Sequence, residues 1–212
     1  MKRIAVFFSN LHSTFLKKKG SIARGIVRHL PPGVTPNQLS LLRIILFLPV
    51  IFFLQKNEYR LACGVFLVAA SLDFFDGALA EERNMETDLG KALDPLADRV
   101  LNGGTFLLIA FQYPEHFFPY LFWSLITIES ILCVFYIVGK SLENRFSGLK
   151  GEVKANLFGK WKTTFYVFGL SIFLWFGPSA LAKKILWIGV SFGGMSLFGH
   201  LKTFFFSRKK RP

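Results

Sequence analysis

The chain has 212 residues, of which 52% are hydrophobic, 17% are aromatic and only 18% are charged, and its mean hydropathy is +0.42. This composition is too apolar for an ordinary water-soluble domain, so the candidate classes are a membrane enzyme, a channel or a transporter. The 26 basic and 13 acidic residues leave a formal net charge of +13. Because long apolar runs separate the basic clusters, anionic lipid headgroups fit this charge better than nucleic acid does, and no nucleic-acid partner is expected.

The first thirty residues differ in kind from the rest of the chain. Apolar residues such as Phe7 and Phe8 form a broken face beside basic residues that include Lys17, Lys18 and Lys19. This pattern predicts an amphipathic helix that lies in the headgroup layer. A signal peptide is the alternative, but no small-residue cleavage site follows a sustained apolar core. Residues 1–30 are therefore assigned to an interfacial segment, and residues 31–212 to a membrane domain.

Six apolar stretches follow the turn Pro31-Pro32-Gly33, and about 20 such residues cross a bilayer core. Backbone polar groups cannot stay unpaired in hydrocarbon, and the runs are too long for barrel strands, so each is predicted to be a helix. The first helix should start at Thr35-Pro36-Asn37, which are capping and helix-starting residues. The predicted spans are 37–54, 58–80, 93–112, 117–139, 163–176 and 185–206. The predicted fold is all-α, a polytopic six-helix membrane bundle.

The distribution of basic residues predicts the orientation of this bundle, because Lys and Arg near span ends favour the cytoplasmic side. One side carries 21 of them, before the first span, in the second-to-third and fourth-to-fifth connections, and in the tail. Four lie on the other side, and Arg43 lies inside the first span. We expect both termini in the cytoplasm and the chain in the cytoplasmic (inner) membrane of the cell.

Eight of the 13 acidic residues fall between positions 73 and 98, where the second predicted span ends and the third begins. Two sets of residues with helical spacing stand out in this region, each on one helix face. They are Asp73, Asp76, Gly77 and Ala80 on the second span, and Gly90, Asp94 and Asp98 on the third. Ionisable groups at membrane depth are costly and usually face a bundle interior or a watery cavity. The two faces are therefore predicted to converge on a functional site.

Four converging carboxylates repel one another unless they are protonated or neutralised. A hard divalent cation such as Mg²⁺ or Mn²⁺ prefers oxygen ligands and would neutralise them. The alternative is that these carboxylates have no functional role and lie in water at helix ends, paired with Arg83, Lys91 and Arg99. The combined spacing of the four aspartates and the interleaved small residues favours a metal site.

The stretch Asp73-Phe-Phe-Asp76-Gly77-Ala-Leu-Ala80, followed by Gly90-Lys-Ala-Leu-Asp94-Pro-Leu-Ala-Asp98, closely resembles the signature of the CDP-alcohol phosphotransferases. That signature is D-x2-D-G-x2-A-R-x8-G-x3-D-x3-D, and seven of its eight fixed positions match. The six-span topology is also similar to that of the family. One position departs, since Glu81 stands where the family has arginine. Arg83, two positions on, points about 200° around the helix and is not an obvious substitute.

The resemblance implies transfer of a substituted phosphate from a CDP-linked lipid such as CDP-diacylglycerol to a small alcohol or alcohol phosphate, with release of CMP. It implies two divalent ions, a homodimer, and the general base or a fourth metal ligand at Asp98. The implied metal ligands are Asp73, Asp76, Asp94 and Asp98, and the implied CDP-binding residues are Asp73, Gly77, Ala80 and Gly90. Metal charge would stabilise the leaving CMP while a carboxylate takes the proton of the attacking hydroxyl.

Other segments resemble the phosphatidylglycerophosphate synthase branch, among them the stretch from Thr35 to Arg43 and Gly159-Lys160-Trp-Lys162-Thr163. The implied acceptor is sn-glycerol 3-phosphate, a dianion that needs cations. The candidates for binding its phosphate are Lys160, Lys162, Arg99 and Arg145, although positive-inside placement also accounts for the two lysines. Asp98-Arg99 followed by Asn102-Gly103-Gly104 looks a little like the inositol-phosphate-using branch, which keeps that acceptor open.

Glu129 lies in the middle of an otherwise apolar predicted span, where a carboxylate is expensive without a partner. We expect it to make a buried hydrogen bond or to serve the acceptor site. Two other functional classes remain alternatives to the enzyme. Converging carboxylates also occur in divalent-cation carriers, although these acids cluster at one end of the bundle rather than along a path. A non-catalytic relative that acts as a scaffold is the third hypothesis, suggested by Glu81.

Overall fold

The computed structural model describes residues 25, 27, 29, 31–85, 87–117, 120–145 and 157–207. Within these ranges, the side chains of residues 88, 91, 116, 117, 135–145, 157 and 200–207 are not described. The predicted interfacial helix of residues 1–30 falls almost wholly outside them. Throughout the described residues the regular structure is helical. The helices are α1 (Pro36–Gln55), α2 (Tyr59–Arg83), α3 (Asp88–Asp98), α4 (Gly104–Gln112), α5 (Pro114–Phe117), α6 (Tyr120–Arg145), α7 (Leu157–Phe176) and α8 (Ala180–Ser207).

Helix α1 begins as the sequence predicts. Thr35 has an extended backbone, and its side chain accepts a hydrogen bond from the Gln38 amide, while the Gln38 side chain accepts one from the Thr35 amide at 2.9 Å. Pro36 follows in the first turn, where its missing N–H costs nothing. This capping box satisfies backbone donors that would otherwise stay unpaired. It thereby fixes where the helix that carries Ser40 and Arg43 starts.

The far end of α2 is tied to the segment that precedes α1. Arg83 Nη1 donates to the backbone carbonyls of Pro31, Pro32 and Val34, at 3.1, 3.2 and 3.0 Å. Asn84 then ends the helix in the left-handed conformation, with φ at 52°. A cation in the last turn also complements the negative end of the helix dipole. The acidic end of α2 is therefore held beside the start of α1.

The third predicted span is helical, but a π-helical turn interrupts its α-helix. Helix α3 runs into a π-helical turn at Arg99–Gly103, which continues directly into α4. Its start is capped by Thr87, whose side chain accepts from the Gly90 amide at 3.0 Å. An added residue per turn of this kind shifts the helical register and is common at functional sites. Here the turn begins directly after Asp98.

The chain divides after Ile109 into two compact units. In the first, α1 packs against α2 and α3. In the second, α8 packs against α6 and α7, and the α7–α8 contact depends on glycine: a Cβ at Gly169 would lie 2.7 Å from Leu186, and one at Gly189 would lie 2.6 Å from the Tyr166 ring. Small residues let helix backbones approach closely, as in many membrane bundles.

Three described helices are long and apolar enough to cross a bilayer: Pro36–Gln55, Tyr59–Arg83, and the Ala180–Gly199 part of α8. Their length and composition support a membrane protein, as predicted. The described residues of the other three predicted spans are helical, but none of these spans meets that length and hydropathy as a single described helix. The π-helical turn divides the third, and the fourth contains the shorter apolar stretch Tyr120–Val134. The count of six spans stays a prediction.

Candidate active site

The four aspartates of the signature come from two helices of the first unit. Asp73 and Asp76 lie three positions apart on α2, and Asp94 and Asp98 lie four positions apart on α3. Both helices pack on α1, and two side chains of α1 reach the aspartates. These are Ser40 and Arg43, which lie one turn apart on α1. The predicted convergence of the two acidic faces is present, and α1 forms its centre.

Arg43 connects three of the four carboxylates. Its Nη1 lies 3.3 Å from Asp73 Oδ1 and donates to Asp98 Oδ1 at 3.0 Å, and its Nη2 donates to Asp76 Oδ2. The Arg43 side chain has no exposed surface. A guanidinium stays charged under all ordinary conditions, so a buried one needs carboxylate partners. Arg43 therefore holds the ends of α2 and α3 to the first span.

Ser40 connects the fourth carboxylate. Its hydroxyl is buried and lies 2.5 Å from Asp94 Oδ1, 3.5 Å from Asp76 Oδ2 and 3.2 Å from the Pro36 carbonyl. A hydroxyl has one proton to donate, and the closest acceptor is Asp94. Ser40 thus connects Asp94 of α3 to α1. Arg43 connects Asp73 and Asp76 of α2, and Asp98 of α3, to the same helix. The four carboxylates are linked through these two side chains.

The carboxylates differ in their exposure. The Asp76 side chain is only 5% exposed, whereas those of Asp73 and Asp98 are 45% and 36% exposed. Asp76 is therefore an interior group that is paired with a buried cation. Asp73 and Asp98 lie at the outer edge of the cluster, where a ligand can reach their oxygens.

The three small residues of the signature occupy different surroundings. A Cβ built at Gly77 would meet nothing within 4 Å, so open space lies beside this exposed position, and Ala80 is half-buried one turn further on. Gly90 is buried, and a Cβ there would lie 2.6 Å from Asn37 Oδ1 and 3.1 Å from Thr87 Oγ1. Gly77 thus leaves room for a ligand. Gly90 leaves room for α1.

Glu81 is exposed on α2, at the position where the family signature has arginine. Arg83 bonds to the backbone of the Pro31–Val34 turn, and so it has a structural task of its own. This agrees with the expectation that Arg83 does not replace the missing arginine. The cation that contacts the signature aspartates comes instead from α1.

The residues predicted to bind the acceptor phosphate are divided between the two units. Arg99 is exposed at the start of the π-helical turn, and Lys160 is exposed in the first turn of α7. Lys162 Nζ lies 2.5 Å from Glu129 Oε1 on α6 and 5.7 Å from the Tyr166 ring centroid. Glu129 therefore makes a hydrogen bond, but one that is only partly buried, and its donor is one of the predicted phosphate ligands. Arg145 ends α6, and its side chain lies outside the described residues.

The donor set suits a divalent cation in its chemistry. With all four carboxylates ionised, the cluster presents only oxygen donors and more negative charge than Arg43 neutralises, which is what Mg²⁺ and Mn²⁺ prefer. In the part of the chain that the structure describes, however, no group of three or more acidic, His or Cys side chains is arranged as a metal cage. Arg43 contacts three of these carboxylates. A metal ion held by the same carboxylates would compete with these contacts.

Sequence reasoning on the acidic signature missed Ser40 and Arg43 as members of the site. The signal was present, because an arginine within an apolar helix must find carboxylates or water. The sequence places Arg43 inside the first span and in the stretch that resembles the phosphatidylglycerophosphate synthase branch, and neither observation connects it with the aspartates. The carboxylates one helix further along the chain were the available partners.

Comparison with known proteins identifies the family. The sequence model of the family described as CDP-alcohol phosphatidyltransferase matches residues 33–195. The chain is 30% identical over 167 residues to the CDP-diacylglycerol--glycerol-3-phosphate 3-phosphatidyltransferase of Escherichia coli strain K12, covering 77% of this chain and 84% of that protein. The protein of that name from Salmonella choleraesuis strain SC-B67 gives the same values.

A third protein of that name, from Aquifex aeolicus, is 35% identical over 99 residues, which are 47% of this chain and 56% of that protein. The chain thus aligns with little more than half of the Aquifex protein. The family match covers both the acidic signature and α1, from which Ser40 and Arg43 extend. As the resemblance predicts, this chain belongs to the CDP-alcohol phosphatidyltransferase family and is a phosphotransferase enzyme.

Proposed function

We propose that this enzyme transfers a phosphatidyl group from CDP-diacylglycerol to sn-glycerol 3-phosphate, giving phosphatidylglycerophosphate and CMP in phospholipid biosynthesis. The observation that carries the proposal is the convergence of Asp73, Asp76, Asp94 and Asp98, the signature aspartates of the family, on two buried side chains of α1, Arg43 and Ser40. The choice of acceptor follows the names of the relatives from E. coli and A. aeolicus.

In this reaction the acceptor hydroxyl oxygen forms a bond to the phosphorus of the phosphatidyl group. The bond from that phosphorus to the bridging oxygen of the diphosphate breaks, and CMP leaves with the bridging oxygen. The hydroxyl proton goes to a carboxylate, and we assign this role to Asp98. Its Oδ1 accepts from Arg43 and its side chain is partly exposed, so a substrate hydroxyl can approach it.

We propose that Asp73, Asp94 and Asp98, with Asp76 behind them, hold Mg²⁺ or Mn²⁺. When bound, the metal supplies positive charge that stabilises the diphosphate and the leaving CMP. The open surface at Gly77 supports its assignment to the nucleotide, because a side chain there would occupy the space beside the aspartates. Ala80, on the same face of α2, is assigned to the same subsite.

A dianionic acceptor needs cations near its phosphate. Lys160 and Arg99 are exposed and are proposed to contribute. Lys162 is partly neutralised by Glu129, so its contribution requires this pair to open or to be shared with the acceptor. The proposal therefore places more weight on Lys160 than the sequence alone does.

The test is a CMP-release assay on the purified full chain in detergent or vesicles. With CDP-diacylglycerol, Mn²⁺ or Mg²⁺, and sn-glycerol 3-phosphate, we expect CMP and phosphatidylglycerophosphate in equal amounts, and EDTA should stop both. Parallel reactions with inositol phosphate and with unphosphorylated glycerol test the acceptor. Efficient turnover with inositol phosphate alone would reassign the acceptor, and no CMP release with any alcohol would overturn the proposal.

A further inference from the structure

The geometry points to Arg43 as a resident counter-cation of the aspartate cluster, one that a divalent metal ion partly replaces. We infer that metal binding exchanges the contacts of Arg43 with Asp73 and Asp98, while its pair with Asp76 persists. Arg43 would then be a positioning residue that keeps the site assembled before the metal arrives. This inference rests on the metal site of the proposed function.

Arg43 needs partners of opposite charge. Its side chain is fully buried, it contacts three aspartates, and its Nε has no hydrogen-bond partner among the described residues. A buried guanidinium cannot discharge by losing its proton, and an uncompensated buried charge is strongly destabilising. The metal-free fold therefore depends on contacts between Arg43 and the carboxylates.

The burial of the aspartate side chains differs across the cluster. Asp76 is almost inaccessible, whereas Asp73 and Asp98 have roughly a third or more of their side chains exposed. A cation that arrives from outside meets these two carboxylates first. Both are bound by the same nitrogen, Nη1, so the outer contacts can be released while Nη2 keeps Asp76.

Part of the cluster stays in place when Arg43 releases Asp73 and Asp98. Ser40 already holds Asp94 within 2.5 Å on the adjacent turn of α1. With Arg43 between the carboxylates, no three of the described acidic side chains are arranged as a metal cage. Arg43 thus stabilises the metal-free protein and opposes the metal through like charge. Removal of its charge should affect these two properties in opposite directions.

The experiment compares the wild-type chain with Arg43→Met, which keeps an unbranched side chain about as long as the aliphatic part of arginine and removes the guanidinium charge. Protein in detergent is stripped with EDTA and studied at pH 8, without nucleotide or acceptor. We expect the metal-free thermal midpoint to fall by about 10 °C. We expect Mn²⁺, titrated by electron paramagnetic resonance, to bind at least about tenfold more tightly, and to restore more stability than in the wild type.

Two further variants keep the test decisive. Arg60→Met removes an exposed arginine at the opposite end of α2 and should leave the Mn²⁺ affinity unchanged. Arg43→Lys keeps the charge but lacks the guanidinium fork, so the outer contacts weaken. We expect a smaller loss of midpoint than in Arg43→Met and Mn²⁺ binding tightened by about threefold. This variant decides the question if Arg43→Met does not fold.

Mn²⁺ affinity that is equal or lower in the Arg43 variants would overturn the exchange. If the affinity is equal or lower but the wild-type chain releases CMP in the assay above, this inference alone is overturned and the proposed function stands. If the wild-type chain binds no Mn²⁺, the metal site is overturned as well, whatever the variants do to the thermal midpoint.

Discussion

The four signature aspartates belong to one motif, but they differ in burial and in the side chains that contact them. Asp76 is buried against Arg43, Asp94 is held by Ser40, and Asp73 and Asp98 stand at the outer edge. A carboxylate that is to take a proton from a substrate must be reachable by the substrate hydroxyl. Asp73 and Asp98 meet this condition and Asp76 does not. Exposure thus argues against Asp76 as the base, and the choice of Asp98 over Asp73 follows the resemblance to the family.

Replacement of Asp98 by Asn tests this assignment. The amide keeps the size of the side chain and can still accept from Arg43, but it cannot take a proton. We expect CMP release to fall by at least about a hundredfold, with CDP-diacylglycerol binding largely retained. Rates of CMP release and equilibrium binding of the CDP-lipid are measured on the same preparation. Near-normal turnover in Asp98→Asn would show that another group is the base.

Glu81 is the residue at which the chain departs from the family signature. It is exposed and lies four positions after Gly77, on the same face of α2, so its negative charge lies near the proposed nucleotide subsite. We expect Glu81→Arg to lower the KM for CDP-diacylglycerol by about fivefold through a reversal of this charge. The control is Glu58→Arg, an equal charge change at the exposed start of α2. Equal effects of the two variants would mean that only net charge matters.

At the scale of elements, the π-helical turn shapes the third span. It begins at Arg99, directly after Asp98, and ends where Gly104 packs on the ring of Phe47 with no room for a Cβ. Periodicity predicts an uninterrupted α-helix over this stretch, because an added residue in one turn leaves no compositional signal. The turn changes which residues of α4 share a face with the aspartates. Only the packed structure decides it.

The two glycines of the signature allow a test that separates packing from binding. Gly90→Ala should destabilise the protein by about 1 kcal/mol, because the new methyl group displaces the Asn37 side chain from its hydrogen bond with Thr87. Thermal unfolding in detergent measures this loss. The double variant Asn37→Ala, Gly90→Ala removes the colliding side chain and should recover part of the stability. Additive losses in the double variant would contradict the close contact of α1 and α3.

Gly77→Ala is the matched comparison. Open space surrounds this position, and alanine favours the helix over glycine, so stability should be unchanged or raised by up to about 1 kcal/mol. If the nucleotide lies against Gly77, the KM for CDP-diacylglycerol should rise. A variant that is as stable and as active as the wild type would remove Gly77 from the nucleotide subsite.

At the scale of the whole molecule, charge asymmetry predicts a topology in which both termini are cytoplasmic. The connection between α1 and α2 carries Lys56 and Arg60 and belongs to the opposite side. In bacterial cells, alkaline phosphatase fused after Asn57 should be active, and green fluorescent protein fused after Pro212 should fluoresce. The reverse pattern would invert the topology and place the aspartate cluster outside the cytoplasm. The homodimer implied by the resemblance likewise stays a prediction.

The fold class, several helix starts and the family of this protein can be predicted from its sequence. The mean hydropathy, the apolar runs and the helix starts predict a helical membrane protein, and the starts of α1 and α3 follow from local capping at Thr35 and Thr87. The seven matched signature positions predict the family and bring together the four aspartates. These features are local in the chain, because a capping box, a helical face and a spacing each depend on residues within a few turns of one another.

The tertiary structure decided which groups complete the site. Ser40 and Arg43 lie 30 or more positions before the aspartates that they contact, and no local pattern specifies such a pairing. It depends on the packing of α1 against α2 and α3, because a buried charge must be neutralised by whatever the fold brings beside it. The same holds for Lys162, whose partner Glu129 is on another helix. The sequence thus determined the chemistry available to the site, and packing determined how those charges are paired.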